Sequence, residues 1–249
     1  KQKTAYEITY GDWSSDVCSS DLFEFTGFLS YRKADAHLRQ DTASGEEFSV
    51  SYFLTSGLHR TETEIRDKAN VRRFSWGTCL QREIGGWKFG LNMVSHVHDL
   101  PRVPGVGVHN HFDLRGKQMT NVSLDYSGTA GNAHFFGEDA FGKNYSLAML
   151  HGLMASLSDK ADLSILFRNF SPRYHSLQSS AFSENGEPGN ERGFFMGLSL
   201  RPSPGWQVLG SVDFFEFPWL TYNILSPIRG REYVGQVKYV KSRRSEEHT

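Results

Sequence analysis

Residues 192–215 read RGFFMGLSLRPSPGWQVLGSVDFF, and this stretch decides the fold. It divides into two strands around Pro202-Ser203-Pro204-Gly205. Proline presets φ and glycine permits positive φ, which is the chemistry of a tight turn. In the second strand Val208, Gly210, Val212 and Phe214 share one phase. Gln207, Ser211 and Asp213 share the other, with Leu209 as the exception. A period of two with aromatics at its ends marks an antiparallel strand that has one apolar face.

The same unit recurs on both sides. Towards the N-terminus, residues 23–38, 47–57, 71–84, 88–98, 117–127, 133–141, 145–157 and 162–170 read as strands, and residues 232–240 as the last one. Together with the central hairpin they make eleven. Phe74, Trp76, Thr78 and Leu80 fall in one phase, as do Leu163, Ile165 and Phe167. The stretch 145–157 also fits a helix face through Leu147, Leu150, Met154 and Leu157, since Ala, Leu and Met favour helix. Hairpin partners on both sides decide for strand. Thr61-Glu62-Thr63-Glu64 is a capping-box pattern and predicts a short helix inside a loop. Gly85-Gly86 predicts a two-residue hairpin turn.

The connections carry the next inference. Residues 216–231, 171–191 and 99–116 are long; residues 202–205, 158–161, 128–132 and 85–86 are short. Every long connection falls on one side of the strands, and the C-terminal strand ends on the other. Residues 142–144, a short connection, fall on the long side without breaking this parity. Long loops outside, tight turns and the C-terminus inside are the arrangement of an up-and-down outer-membrane β-barrel. Such barrels usually have an even number of strands, so eleven predicts at least one more upstream.

Composition is compatible with that reading and excludes others. Hydrophobic residues make up only 38% of the 249, yet aromatics reach 14% and there are 24 glycines. Alternation needs only every second residue to be apolar, so a barrel has modest mean hydropathy. A soluble β-sandwich shares this composition. No run approaches the roughly 18 apolar residues of a spanning helix. A formal net charge of −1 gives no electrostatic footprint for nucleic acid.

The two ends stand apart. Residues 1–22, KQKTAYEITYGDWSSDVCSSDL, and the tail RSEEHT from about residue 244 resemble translated sequencing adapters fused to metagenomic reading frames. The expectation is that the protein proper runs from about residue 23 to 243 and is truncated at its N-terminus. Cys18 is then no partner for Cys79, which reads as a small hydrophobe.

Several short segments carry a resemblance. His134-Phe135-Phe136-Gly137-Glu138, residues 163–172 (LSILFRNFSP), Ala181-Phe182-Ser183-Glu184, Asn190-Glu191-Arg192-Gly193 and Phe217-Pro218-Trp219-Leu220 are similar to helix-hairpin-helix-containing outer-membrane proteins of the Bacteroidota, competence-protein-like. The resemblance covers about residues 23–240 and lies in the C-terminal barrel of that family. It implies an outer-membrane, porin-like barrel that is an anchor or channel for an N-terminal periplasmic region. The partners it implies are the lipid bilayer, the barrel-assembly machinery and, through that N-terminal region, DNA. The helix-hairpin-helix motif is absent here, so DNA binding attaches to no residue of this chain. The ending Gly235-Gln236-Val237-Lys238-Tyr239 resembles the barrel assembly signal.

Candidate residues follow from the phases. Asp125, Glu138, Arg168 and Asp213 lie on the polar phase and are expected to face a lumen, because a charge at the lipid midplane costs about 2–4 kcal/mol. Leu163, Ile165, Phe167, Val208, Val212, Phe214 and Val237 are expected to face lipid. Phe217, Trp219 and Tyr222 at one rim and Tyr239 at the other are expected girdle aromatics. His96 and His98, with His109 and His111, have the i, i+2 spacing that puts two imidazoles on one strand face, a weak zinc pattern without cysteine partners. Asp162, Ser164, His151 and Ser156 have no Gly-x-Ser-x-Gly elbow around them. No catalytic residue and no cofactor is expected, and the alternatives are a sandwich binding module or a barrel enzyme of the outer-membrane phospholipase type.

Overall fold

In the computed structural model, residues 23–40, 48–54, 56–177, 179–185 and 187–240 are described; the two adapter-like ends lie outside them. The described residues form mainly antiparallel sheet. The strands are β1 (Glu24–Ala34), β2 (Ala36–Gln40), β3 (Phe48–Phe53), β4 (Val71–Ile84), β5 (Trp87–Arg102), β6 (Gly116–Ala130), β7 (Ala133–Phe141), β8 (Leu147–Ser158), β9 (Ala161–Phe170), β10 (Glu191–Leu200), β11 (Trp206–Phe217) and β12 (Ile228–Tyr239). They form one sheet, and its main path is β1-β4-β5-β6-β7-β8-β9-β10-β11-β12. From β4 onwards each strand pairs with its neighbour in sequence, an up-and-down meander. The sheet is open: β1 and β12 are not paired with each other.

The strand reading of 145–157 holds, as β8. It has cross-strand partners on both sides, β7 and β9, and that pairing overrides helix propensity. The central hairpin holds too, with Phe194 opposite Phe214 and Met196 opposite Val212. Gly85 and Gly86 both have positive φ, 59° and 80°, as a primed hairpin turn demands.

The count of eleven meander strands is corrected to ten, with a short hairpin beside them. The predicted strand 23–38 breaks at Asp35, where bonds to residues 59–69 divert the backbone out of the ladder. The Asp35 carboxylate accepts the Ala69 N–H at 2.8 Å and lies 2.8 Å from the His59 ring, while Ala36 N donates to Asp67 O at 3.0 Å. The predicted strand 47–57 is the six-residue β3. It pairs with β2 and touches β5 in parallel at Val50 and Arg102. Ala36, Val50 and Val71 are fully buried there, a small apolar knot at the long-loop end. Between β3 and β4 stands α1 (Glu62–Arg66), with the predicted capping box complete: Thr61 Oγ1 accepts Glu64 N–H, and the Glu64 carboxylate accepts Thr61 N–H.

Burial is inverted relative to an ordinary sheet. The buried side chains include Arg73, Ser75, His96, His98, Ser123, Arg168, Glu191 and Asp213, whereas Phe74, Phe89, Leu91, Leu124, Phe167, Phe194, Phe214, Tyr233 and Val237 are exposed. Registers place these two sets on opposite faces. Asp125 pairs with Glu138, Glu138 with Leu150, and Leu150 with Arg168, so all three charged residues share the polar face, and Asp213 follows across β10. Phe167, Phe194 and Phe214 make one cross-strand row on the other face, and Ile165, Met196 and Val212 the next. Val208 opposite Val237 extends that face to β12. Cys79, opposite Thr26 and Asn92, sits on the polar face.

Candidate functional site

The polar face carries a charged cluster centred on Arg168. Its Nε lies 2.5 Å from Glu191 Oε1, its Nη1 3.0 Å from Asp213 Oδ1 and its Nη2 3.7 Å from Glu184 Oε1. Arg168 and Glu191 are fully buried and Asp213 is 6% exposed. A buried guanidinium is tolerated only where carboxylates compensate its desolvation, and a forked donor suits two of them. The space for it comes from Gly193, opposite Arg168 in the register. A Cβ there would lie 2.4 Å from the guanidinium carbon.

The cover over the cluster is the 171–190 connection. Glu184 N donates to Glu191 Oε2 at 3.0 Å, and the Phe182 ring lies 5.3 Å from the guanidinium carbon, a cation–π contact. Phe182 in turn meets Phe195 of the polar face edge-on at 5.2 Å. Burial first, and then the charges of Asp213 and Glu191, push the Glu184 carboxyl above its usual range, against the pull of Arg168. Further along, Tyr174 packs on Ala140, Ala148 and Phe170. Burial pushes its phenol up to about 12, with the charge of Glu138 adding. Asn121 Nδ2 donates to His175 O at 2.9 Å. Under this cover remains a polar cavity of about 200 Å³ between Asn92, His96, Ser123, Glu138 and Tyr174.

Arg168 and Asp213 are therefore brought together, while Asp125 and Glu138 are apart from them on the same face. Asp125 Oδ2 accepts from Asn92 Nδ2 at 2.5 Å instead. Glu191 and Glu184 were not singled out from sequence as charge partners. The available signal was a strand arginine in the polar phase, which requires carboxylates nearby.

The other candidates are dispersed. His96 Nδ1 lies 2.8 Å from Ser75 Oγ, and the His98 ring meets the Phe53 ring at a tilt, 4.8 Å between centres. His109 meets the Tyr222 ring and His111 the Phe112 and Trp219 rings. Among the described residues no three His, Cys, Asp or Glu side chains could hold one metal ion. Ser156, Asp162 and Ser164 lie on the polar face, and His151, opposite Phe167, on the apolar one. These four therefore do not assemble. The apolar face is instead interrupted by His151 itself, 3.2 Å from Asp139 Oδ1 and 3.1 Å from Tyr126 Oη.

The expected girdle residues separate into two kinds. Phe217 shares the phase of Asp213 and Phe215, hence the polar face. Trp219 is used inside the loops: its backbone and Asn190 exchange two hydrogen bonds at 2.7 and 3.0 Å, and its indole N–H donates to Val108 O at 3.3 Å. Neither is placed for a girdle. Tyr222 and Tyr239 remain exposed, and Tyr239 packs on Trp206 at 4.8 Å.

Comparison of the chain with protein-family models, with curated proteins and with solved structures gives no match.

Proposed function

We propose that this chain is the membrane-embedded part of an outer-membrane β-barrel protein, serving as an anchor with a filled interior. One observation carries the reading: the sheet exposes its apolar face and buries its charged one. A sheet in water does the opposite, whereas a barrel in lipid turns its hydrophobic side chains outward. A sandwich would need a second sheet to cover that face, and the strands belong to a single sheet.

The band has membrane dimensions. On β11 and β12 it runs from the Trp206–Tyr239 pair to the Phe214–Arg231 pair. Nine residues at about 3.4 Å each span about 30 Å, or about 23 Å at a tilt near 40°, against a typical barrel band of about 25 Å. The charged edge begins with Arg231 in that last row and continues in the next, where Arg192 pairs with Glu216 at 3.6 Å and Arg229 with Glu216 at 3.1 Å. Ten meander strands leave β1 and β12 antiparallel to each other, so closure needs either no further strand or an even number.

The 171–190 cover over the polar face favours a plugged anchor over an open channel. In this reading DNA is a partner only of the periplasmic region that the family resemblance implies, and the described sheet contributes no contact to it. The test is refolding into lipid vesicles. Val212→Arg on the apolar face should cost about 2–4 kcal/mol of vesicle stability, and Gln207→Arg on the polar face far less. A wild-type chain that is monomeric and folded in lipid-free buffer, with both variants equally stable, would overturn the proposal.

A further inference from the structure

At the long-loop end three connections converge on a half-open cavity of about 310 Å³. Its floor is Met119 and Asn121 of β6, and its wall carries Arg115, Lys143 and Arg173. The three cations come from three different connections, so only the fold brings them to one cavity. Lys143 and Arg173 are each held by a specific contact. Lys143 Nζ donates to Arg115 O at 3.2 Å, which keeps the ammonium beside that arginine. The Arg173 guanidinium lies over the Phe112 ring, 4.9 Å from its centre. The His175 ring donates from Nε2 to Phe112 O at 2.8 Å, which fixes its orientation.

The charge balance is one-sided. The one carboxylate in the wall is Asp113, and it faces Arg102 at 3.9 Å. Among the described residues no carboxylate lies within ion-pair distance of Arg115, Lys143 or Arg173. The rim arginines Arg192 and Arg229 differ in this respect, since both pair with Glu216. Three basic side chains with no paired carboxylate among the described residues, gathered in a concave site of a chain of formal net charge −1, concentrate a positive potential there.

We propose that this cavity binds a small phosphate-bearing anion carrying at least two negative charges. Guanidinium groups recognise phosphate oxygens through paired N–H donors, and lysine adds a point charge. Two arginines and a lysine match a doubly charged group better than a single carboxylate. The volume is at the lower end of the range for small-ligand sites. The proposal stands on the loops alone and does not rest on the membrane reading.

The test uses the full chain in detergent micelles, titrated with inorganic pyrophosphate by calorimetry. Saturable binding is expected, weakened about tenfold by Arg115→Gln and about tenfold by Arg173→Gln, and unchanged by Arg229→Gln. Lys143→Arg should retain it. In a second arm phosphatidic acid is mixed into the micelles at matched phosphate. Binding in the soluble arm assigns a free phosphate compound, and binding only in the lipid arm assigns a headgroup; either supports the site if the two arginine variants lose it. All four side chains involved in these variants are solvent-accessible, and thermal unfolding checks that each variant is folded. Absence of saturable heat in both arms, or full affinity in the Arg115→Gln/Arg173→Gln double variant, would overturn the proposal.

Discussion

Replacing Arg168 by alanine removes one cation and leaves two buried carboxylates facing each other. The magnitude follows from the geometry. Arg168 makes charge-assisted hydrogen bonds to Glu191 and Asp213, each worth about 1.5–3 kcal/mol when both partners are out of water. The cation–π contact with Phe182 adds about 1 kcal/mol. The Glu184 contact, at 3.7 Å with a third of that side chain exposed, is discounted to nearly nothing. Breaking a buried pair typically costs about 3–5 kcal/mol, which agrees with the sum of the two hydrogen bonds. Urea unfolding of wild type and Arg168→Ala in the same detergent should show that loss. Limited proteolysis should at the same time find the 171–190 segment opened, because Glu191 would no longer be held to receive the Glu184 N–H. Replacing Arg168, Glu191 and Asp213 together by apolar residues should recover most of the loss. Arg168→Ala within about 1 kcal/mol of wild type, with the loop still protected, would refute the view that the cluster holds the cover down.

Gly193→Ala should act on the same cluster from the opposite strand: the new Cβ falls 2.4 Å from the Arg168 guanidinium carbon, so a cost of about 1–3 kcal/mol is expected in urea unfolding. Glu184 predicts a pH dependence. Its folded pKa is raised above the ordinary 4.5, so its stabilisation of the closed loop is fully present below that value and is lost as pH rises through the raised one. Amide exchange in 171–190 should therefore slow as pH falls from neutral, once corrected for intrinsic exchange, and Glu184→Gln should remove the dependence. Arg168, Glu191, Asp213 and Glu232 are the charged groups facing Glu184. Thr61→Ala removes the capping box of α1 and should cost about 0.5–2 kcal/mol locally, read as faster exchange of the Glu64 amide, with the sheet unaffected.

The meander was legible because its strands carry their own instructions. Alternation in 206–214, glycines in the turns and the parity of long connections are all short-range signals, and β4 to β12 follow them. Asp35 shows where legibility stops. Nothing around residue 35 announces a break, because its cause is bonding to His59 and Ala69, 24 and 34 residues away. The cluster behaved the same way. Arg168 and Asp213 could be assigned to the polar phase, but Glu191 enters only through the register of β9 on β10 and the path of the following loop. Trp219 looked like a rim aromatic from its neighbourhood of Phe217 and Pro218. Its indole is committed to Val108, a partner 111 residues away that no local pattern specifies.

The pairing order of the sheet also fixes an order of assembly. Every pairing from β4 to β12 joins strands adjacent in sequence, across connections of between 2 and 20 residues. Loop closure of that size is rapid, so this part can zip hairpin by hairpin. β1 is different: it must find β4 across residues 35–70, with β2, β3 and α1 between them. Closing that longer loop has the larger entropic cost, so β1 is expected to dock last. Until it does, the ladder edge of β4 stands unpaired beside Trp76 and Leu80, and that interval is when the chain is most open to mispairing. A chaperone or a lipid surface acting on this protein would have its effect there, on the slow step rather than on the final stability.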